Sequence, residues 1–164
     1  MILRPERGGD IDVIRTLTET AFRTAPHADG TEHLIIDRLR AAGALTLSLV
    51  AEADGRVVGH VAFSPVTLSD GSADWYGLGP ISVDPAHQGK GIGGKLIQQG
   101  LARLKALGAA GCVLLGDPAY YSRFGFVSDS ALTLGGVPPE YFMHVAFSPV
   151  YGGGTVTYHP GFYG

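Results

Sequence analysis

A single cysteine, Cys112, stands among 164 residues, so no disulfide can close within the chain and no cysteine-rich zinc site can be built. Charge is sparse as well. Asp, Glu, Lys and Arg make up 16% of the sequence, below the usual quarter, and the net charge of −3 argues against a general nucleic-acid binder. No apolar run approaches the ~20 residues of a membrane span, and the opening MILRPERGGDID lacks the apolar core of a secretory signal. The six histidines show no HExxH or other ligand spacing, so no structural metal is expected. These absences point to a cytoplasmic protein that works without a membrane, nucleic acid or metal. What is present is a hydrophobic fraction of 45% and a length suited to one domain spanning 1–164. Such a chain buries about 69% of its extended surface. With 25 glycines and 10 prolines, many tight turns are expected.

The periodicity predicts an opening strand at Ile2 and Leu3, then Asp10 as the N-cap of a helix carrying Ile11, Ile14, Leu17, Ala21 and Phe22. Residues 23–29 read as a loop. A second helix begins near Thr31, presents Leu34, Ile35 and Leu39, and stops at Gly43. Two β-rich runs flank Asp54-Gly55, a strong hairpin signal. A turn at 69–72 leads to a strand from Trp75 to Val83, and a helix from Gly91 to Leu107 shows Ile92, Leu96, Ile97, Leu101 and Leu104 on one face before Gly108 ends it. Residues 112–117 read as a buried strand, PAYYSRF (118–124) as a short helix, and 142–148 and 154–158 as further strands. The segment HVAFSPV occurs at both 60–66 and 144–150; its flanks differ, so two strands meeting similar packing demands explain it better than duplication.

Charge is distributed unevenly. Residues 84–116 carry Lys90, Lys95, Arg103 and Lys105 against Asp84 alone, and the glycines cluster in the same stretch. In VDPAHQGKGIGGKL (83–96) a strand ends, Pro85 turns the chain, and a glycine-rich loop opens a helix. Unpaired N–H groups at such a start form an anion site. Gly89, Gly91, Gly93 and Gly94 let a phosphate approach the main chain, with Lys90 and Lys95 adding charge. The loop fits three phosphate-binding patterns. Gly89-x-Gly91-x-x-Gly94, with Asp117 beyond it, satisfies the dinucleotide fingerprint, but DPAHQ separates it from its strand and antiparallel strands precede it. Gly89-x-x-x-x-Gly94-Lys95 is a P-loop whose last residue, Leu96, offers no hydroxyl to Mg²⁺.

The third pattern is Gln88-x-x-Gly91-x-Gly93 after a strand ending in VDP, and here the chain resembles the GNAT superfamily of N-acetyltransferases. Tyr121-Ser122-Arg123-Phe124-Gly125-Phe126 is similar to that family's Y-x-x-x-G-F segment, and GDPAYYSRFGF and LGPISVDP resemble its YhbS-like branch. The resemblance implies an α/β fold with a mixed, mostly antiparallel central sheet flanked by helices, in which a pair of parallel strands, here 78–83 and 112–116, splays apart. It implies acetyl-CoA as cosubstrate. Main-chain groups of Ile81 and Val83 would bind the pantetheine arm, amides from Gln88 through Gly89, Lys90, Gly91, Ile92 and Gly93 to Gly94 would hold the diphosphate, and a backbone N–H at Ile81 or Ser82 would face the developing oxyanion. Tyr121 falls at the family's general-acid position, and with Phe124 completes the cofactor-binding set.

The implied reaction is direct transfer of an acetyl group to a primary amine of a small molecule or peptide. The runner-up is an acyl-CoA-binding sensor or interaction module without turnover. No general base stands out among Glu32, His60, Asp74 and His144; Ser64 and Asp117 are further candidates for the site lining. Cys112 reads as a packed small hydrophobe, His87 as solvent-exposed. The acceptor would be lined by residues near 24–33, 60–76 and the C-terminal strands, and the chain would act as a monomer or homodimer.

Overall fold

The computed structural model describes residues 1–25, 28–148 and 153–164. They group into two compact units: Met1–Ser64, Gly79–Gly100 and Pro160–Gly164 in the first, and Pro65–Leu78 and Leu101–His159 in the second.

In the first unit, strands β1 (Ile2–Pro5), β2 (Leu47–Ala53) and β3 (Arg56–Pro65) lie in order beside the C-terminal half of β5 (Trp75–Val83). β1 pairs with β2 and β2 with β3, both antiparallel, with Val50 opposite His60 and Ala51 opposite Gly59. Asp54 and Gly55 take φ of 52° and 75°, both left-handed, which is what a two-residue hairpin turn demands. Successive side chains on a strand point to opposite faces, and both faces are covered. On one, Val50 packs with Ile14 of α1 (Ile11–Phe22) and Ile36 of α2 (Glu32–Ala41). On the other, a Cβ built on Gly59 would meet Ile92 and Leu96 of α3 (Ile92–Ala106) at 3.0 and 3.1 Å. A Cβ on Gly100 of the same helix would collide with the edge of the Phe63 ring, so bare backbone is what lets α3 lie this close to β3. Two-sided cover is why β3 is buried from Val58 to Ser64.

Asp10 is not the side-chain cap of α1. A 3-10 turn over Gly8–Asp10 precedes the helix, and the Asp10 carboxylate accepts from the Arg7 N–H at 2.7 Å and from Arg4 at 2.7 Å. An arginine on β1 outcompetes the local helix amides. α2 starts one residue after Thr31, and Gly43, at φ 69°, follows its end.

In the second unit the N-terminal half of β5 pairs parallel with β6 (Gly111–Leu115), Trp75 opposite Gly111 and Gly77 opposite Val113. β6 pairs antiparallel with β8 (Phe142–Ala146). A small three-stranded sheet orders β4 (Thr67–Leu68), β9 (Gly154–Thr157) and β7 (Leu132–Thr133) as β4-β9-β7. Val66, Leu68, Trp75, Val113, Leu132, Phe142 and Val156 form the core of this unit. The expected helix over 118–124 is instead one turn of α-helix, α4 (Pro118–Tyr121), running into a 3-10 turn at Ser122–Phe124; Gly125 closes it at φ 93°. The described residues are thus mixed α/β with mostly antiparallel pairing and two parallel pairs, β5 with β6 and β7 with β9. Among the described residues no helix is long and apolar enough to cross a membrane. Of the repeated segments, His60 on β3 and His144 on β8 are both buried; Pro149 and Val150, which end the second copy, lie outside the described residues.

Candidate functional site

The chemistry-bearing pieces fall in both units. In the first, the end of β5 is tied to β3 by a hydrogen bond from Asp84 N to the Val58 carbonyl at 2.8 Å. A 3-10 turn over Pro85–His87 follows, its first turn capped by the Asp84 carboxylate, which accepts from Ala86 N at 3.0 Å. Gln88 folds back to donate from Nε2 to the Val83 carbonyl at 3.1 Å. Gly89 and Gly91 then take φ of 79° and 80°, with nothing within 4 Å of where a Cβ would stand. Two left-handed residues in three carry the chain into α3, whose first residue, Ile92, is buried.

The consequence lies in the amides. His87, Gln88 and Lys95 donate to backbone acceptors within the loop, whereas among the described residues none takes the N–H groups of Gly89, Lys90, Gly91, Ile92, Gly93 and Gly94. Residues 88–91 are exposed. Six successive donors at the positive end of a 15-residue helix are suited to a polyanion. Lys90 and Lys95 are exposed beside them. Just upstream, Ile81 and Val83 are half-buried while Ser82 between them is 3% exposed, its hydroxyl among the buried groups without a partner.

In the second unit, Asp117 caps α4 by accepting from Ala119 N at 2.9 Å. The Tyr121 ring lies against Gly116, where any side chain would collide with it. Tyr120, Phe124 and Phe126 surround it at centroid distances of 4.9, 6.5 and 6.3 Å. Burial, with a smaller contribution from Tyr120, pushes the Tyr121 phenol up to about 12, so it stays protonated throughout the physiological range. Tyr120 is engaged differently, with the Arg123 guanidinium 4.7 Å from its ring centroid. Cys112 is fully buried and burial drives its thiol far above the ordinary range, which suits packing and not nucleophilic attack.

The candidate bases divide by what already holds them. Glu32 accepts from Asp29 N at 3.0 Å at the start of α2. Asp74 is exposed in a left-handed turn at φ 67°. His144 is buried with Trp75 edge-on at 6.3 Å and the Asp129 carboxylate at 3.9 Å. His60 is 0% exposed; its Nε2 lies 2.7 Å from Ser48 Oγ, and its buried Nδ1 has no partner among the described residues. Ser64 is also buried with its hydroxyl unpaired. Among the described residues no group of three or more His, Cys, Asp or Glu side chains is gathered as metal ligands would be.

Burial lowers the His60 pKa from 6.5 to about 4, which sets a stability window. Below pH 6.5 the unfolded chain takes up a proton that folded His60 refuses, so stability falls until the folded imidazole titrates near 4. The full shift corresponds to about 3 kcal/mol. Urea unfolding at pH 7 and pH 5 should show the loss beginning above the carboxylate range, and a His60→Gln variant should lack that part of the slope.

Comparison with known proteins adds the following. The profile of the Acetyltransferase (GNAT) family matches residues 11–126. A protein of Escherichia coli K12 described as "Uncharacterized N-acetyltransferase YhbS" is 42% identical over 127 residues, covering 77% of this chain and 73% of that protein. A GNAT family acetyltransferase from Brucella melitensis, solved in complex with acetyl-CoA, superimposes with a TM-score of 0.88 at 53% identity, covering 98% of this chain and 97% of the other. YhbS from Escherichia coli, solved in complex with CoA, gives a TM-score of 0.89 and 34% identity over 99% of this chain and 91% of that one.

Proposed function

Since this chain belongs to the acetyltransferase (GNAT) family and is an N-acetyltransferase, we propose that it moves the acetyl group of acetyl-CoA directly to a primary amine of a small acceptor within a ternary complex. The observation that carries the reading is the run of six N–H groups from Gly89 to Gly94, at the start of α3, that have no acceptor among the described residues. Acetyl-CoA supplies an activated acyl carbon whose thioester breaks as the amide forms.

The chain's own residues divide the work. Amides of residues 89–94 hold the diphosphate, with Gln88 fixing the loop on Val83 and Lys90 adding charge. Main-chain groups of Ile81 and Val83 pair with the pantetheine arm as an added strand would, and Phe124 contributes to the same binding set. A backbone N–H at Ile81 or Ser82 faces the oxyanion, a contact worth about 2.7–4 kcal/mol in other enzymes. Tyr121 donates a hydrogen bond to the departing sulfur. Residues 1–164 act together as one acetyltransferase domain.

The test pairs binding with turnover. The purified protein should bind acetyl-CoA by calorimetry and release free thiol when offered putrescine, lysine methyl ester or an alanyl tripeptide. Tight CoA binding with no thiol release from any amine would favour an acyl-CoA sensor, and no binding at all would remove the reading.

A further inference from the structure

His60 is a buried imidazole that the steps above do not use, and its surroundings fix its tautomer. Glu6 follows β1, and its N–H bonds the Ser48 carbonyl at 2.9 Å, setting the two side chains opposite each other. Arg40 of α2 grips the Glu6 carboxylate through Nε at 3.1 Å and Nη2 at 2.9 Å. Burial opposes ionisation of Glu6, but hydrogen bonds from Arg40 and Ser48 outweigh it and hold the carboxyl below its ordinary range. An ionised carboxylate can only accept, so the single Ser48 hydroxyl proton goes to Glu6 Oε1. Ser48 Oγ then has only lone pairs to offer His60, 2.7 Å away. The imidazole must therefore carry its proton on Nε2 and leave Nδ1 as a bare acceptor.

That acceptor is buried and has no partner among the described residues, and the same is true of the Ser82 hydroxyl. Leaving a buried polar atom unsatisfied is costly, so two such atoms on neighbouring strands call for an explanation. The Asp84 N to Val58 O bond aligns the end of β5 with β3; counted two residues along each antiparallel strand from that bond, Ser82 pairs with His60, and the Cβ atoms of such cross-strand pairs lie ~5 Å apart. Water satisfies polar pairs of this kind. Ile81, next to Ser82 on β5, carries one of the two backbone N–H groups assigned to the oxyanion.

We propose that His60, locked as the Nε2–H tautomer by the Arg40–Glu6–Ser48 chain, is the positioning residue that accepts the acceptor amine's proton through a water held between its Nδ1 and Ser82 Oγ. This rests on the acyl-transfer reading. As the N–C bond forms and the C–S bond breaks, sulfur keeps the electron pair of the broken bond. The nitrogen, made acidic by bonding to the acyl carbon, gives its proton to the water, which passes one of its own to Nδ1. The resulting imidazolium faces Ser48 and, beyond it, the Glu6 carboxylate, and returns its proton to solvent after product leaves. The groups whose charge reaches His60 are Glu6, Arg40 and Asp10; Asp37 of α2 binds both Arg40 and Arg15 of α1. Because burial keeps the ring neutral down to about pH 4, it stays in the accepting form wherever the enzyme is assayed.

Replacing His60 itself risks the fold, so the test breaks the lock. Ser48→Ala should lower kcat at least tenfold with putrescine, lysine methyl ester or an alanyl tripeptide while leaving KM for acetyl-CoA within twofold, and Ser48→Thr, which keeps the hydroxyl, should restore it. Ring ¹⁵N shifts should show wild-type His60 protonated at Nε2 alone and Ser48→Ala as a tautomer mixture. An indifferent Ser48→Ala, a Thr variant as slow as Ala, or a proton on Nδ1 in the wild type overturns the proposal alone. Wild-type protein that releases no thiol with any of the three amines overturns it together with acyl transfer.

Discussion

Gly91→Asp should abolish measurable acetyl-CoA binding in a protein that still folds. Folding survives because nothing lies within 4 Å of the position a Cβ would take at Gly91. Its φ of 80° is also a conformation that Asp tolerates better than most residues. Binding fails because the new carboxylate would stand among the amides of Gly89 to Gly94 and face the diphosphate. Two unit charges about 4 Å apart repel by roughly 4 kcal/mol at the effective dielectric of a protein surface, close to a thousandfold in affinity before the second phosphate charge is counted. Gly91→Asn separates charge from shape, since Asn has nearly the same size and the same tolerance of left-handed backbone. Calorimetry should rank wild type above Asn and Asn far above Asp. Equal losses in Asn and Asp would mean that backbone freedom, not anion binding, is what Gly91 provides. Unchanged affinity in folded Gly91→Asp would remove the loop from the cofactor site.

The loop shows which parts of the molecule are written locally. Left-handed φ at Gly89 and Gly91, the helix beginning at Ile92 and the cap at Asp84 all follow from residue types within a dozen positions, as do the Asp54-Gly55 turn and the strand from Trp75 to Val83. Contacts between distant segments are less visible. Asp10 has the chemistry of a helix cap, but Arg4 claims its carboxylate, and nothing near Asp10 announces that arginine's reach. β4 and β7 are two residues each, too short for any periodicity, and exist through pairing with β9 some 20 to 90 residues downstream. The lock on His60 joins Glu6, Ser48 and Arg40 from three separate segments, so the sequence shows only a histidine in an apolar run. The family signature was legible because it is a backbone device compressed into one loop; the proposed proton acceptor was legible only as one of four candidates, because its surroundings depend on strand register.

Tyr121→Phe should lower kcat by roughly tenfold to a hundredfold and leave acetyl-CoA affinity nearly unchanged. The ring contacts with Gly116, Tyr120, Phe124 and Phe126 are kept by Phe, so only the hydroxyl is tested. With its phenol raised to about 12 against a thiol near ~8.5, full proton transfer to the departing sulfur would run uphill by roughly 5 kcal/mol. In the proposed reaction Tyr121 therefore acts by donating a hydrogen bond to charge as it develops, and such bonds to charged groups are worth about 1.5–3 kcal/mol, the range that sets the expected loss. The same reasoning removes Tyr121 from the pH profile: kcat should show no basic limb from it below about pH 10, and the profile of Tyr121→Phe should be lower but parallel. A thioester with a more acidic leaving thiol needs less help, so the deficit should shrink with it. Tyr120→Phe is the control, its ring already stacked on Arg123. If that variant shows the kcat loss and Tyr121→Phe does not, the donor is the neighbour.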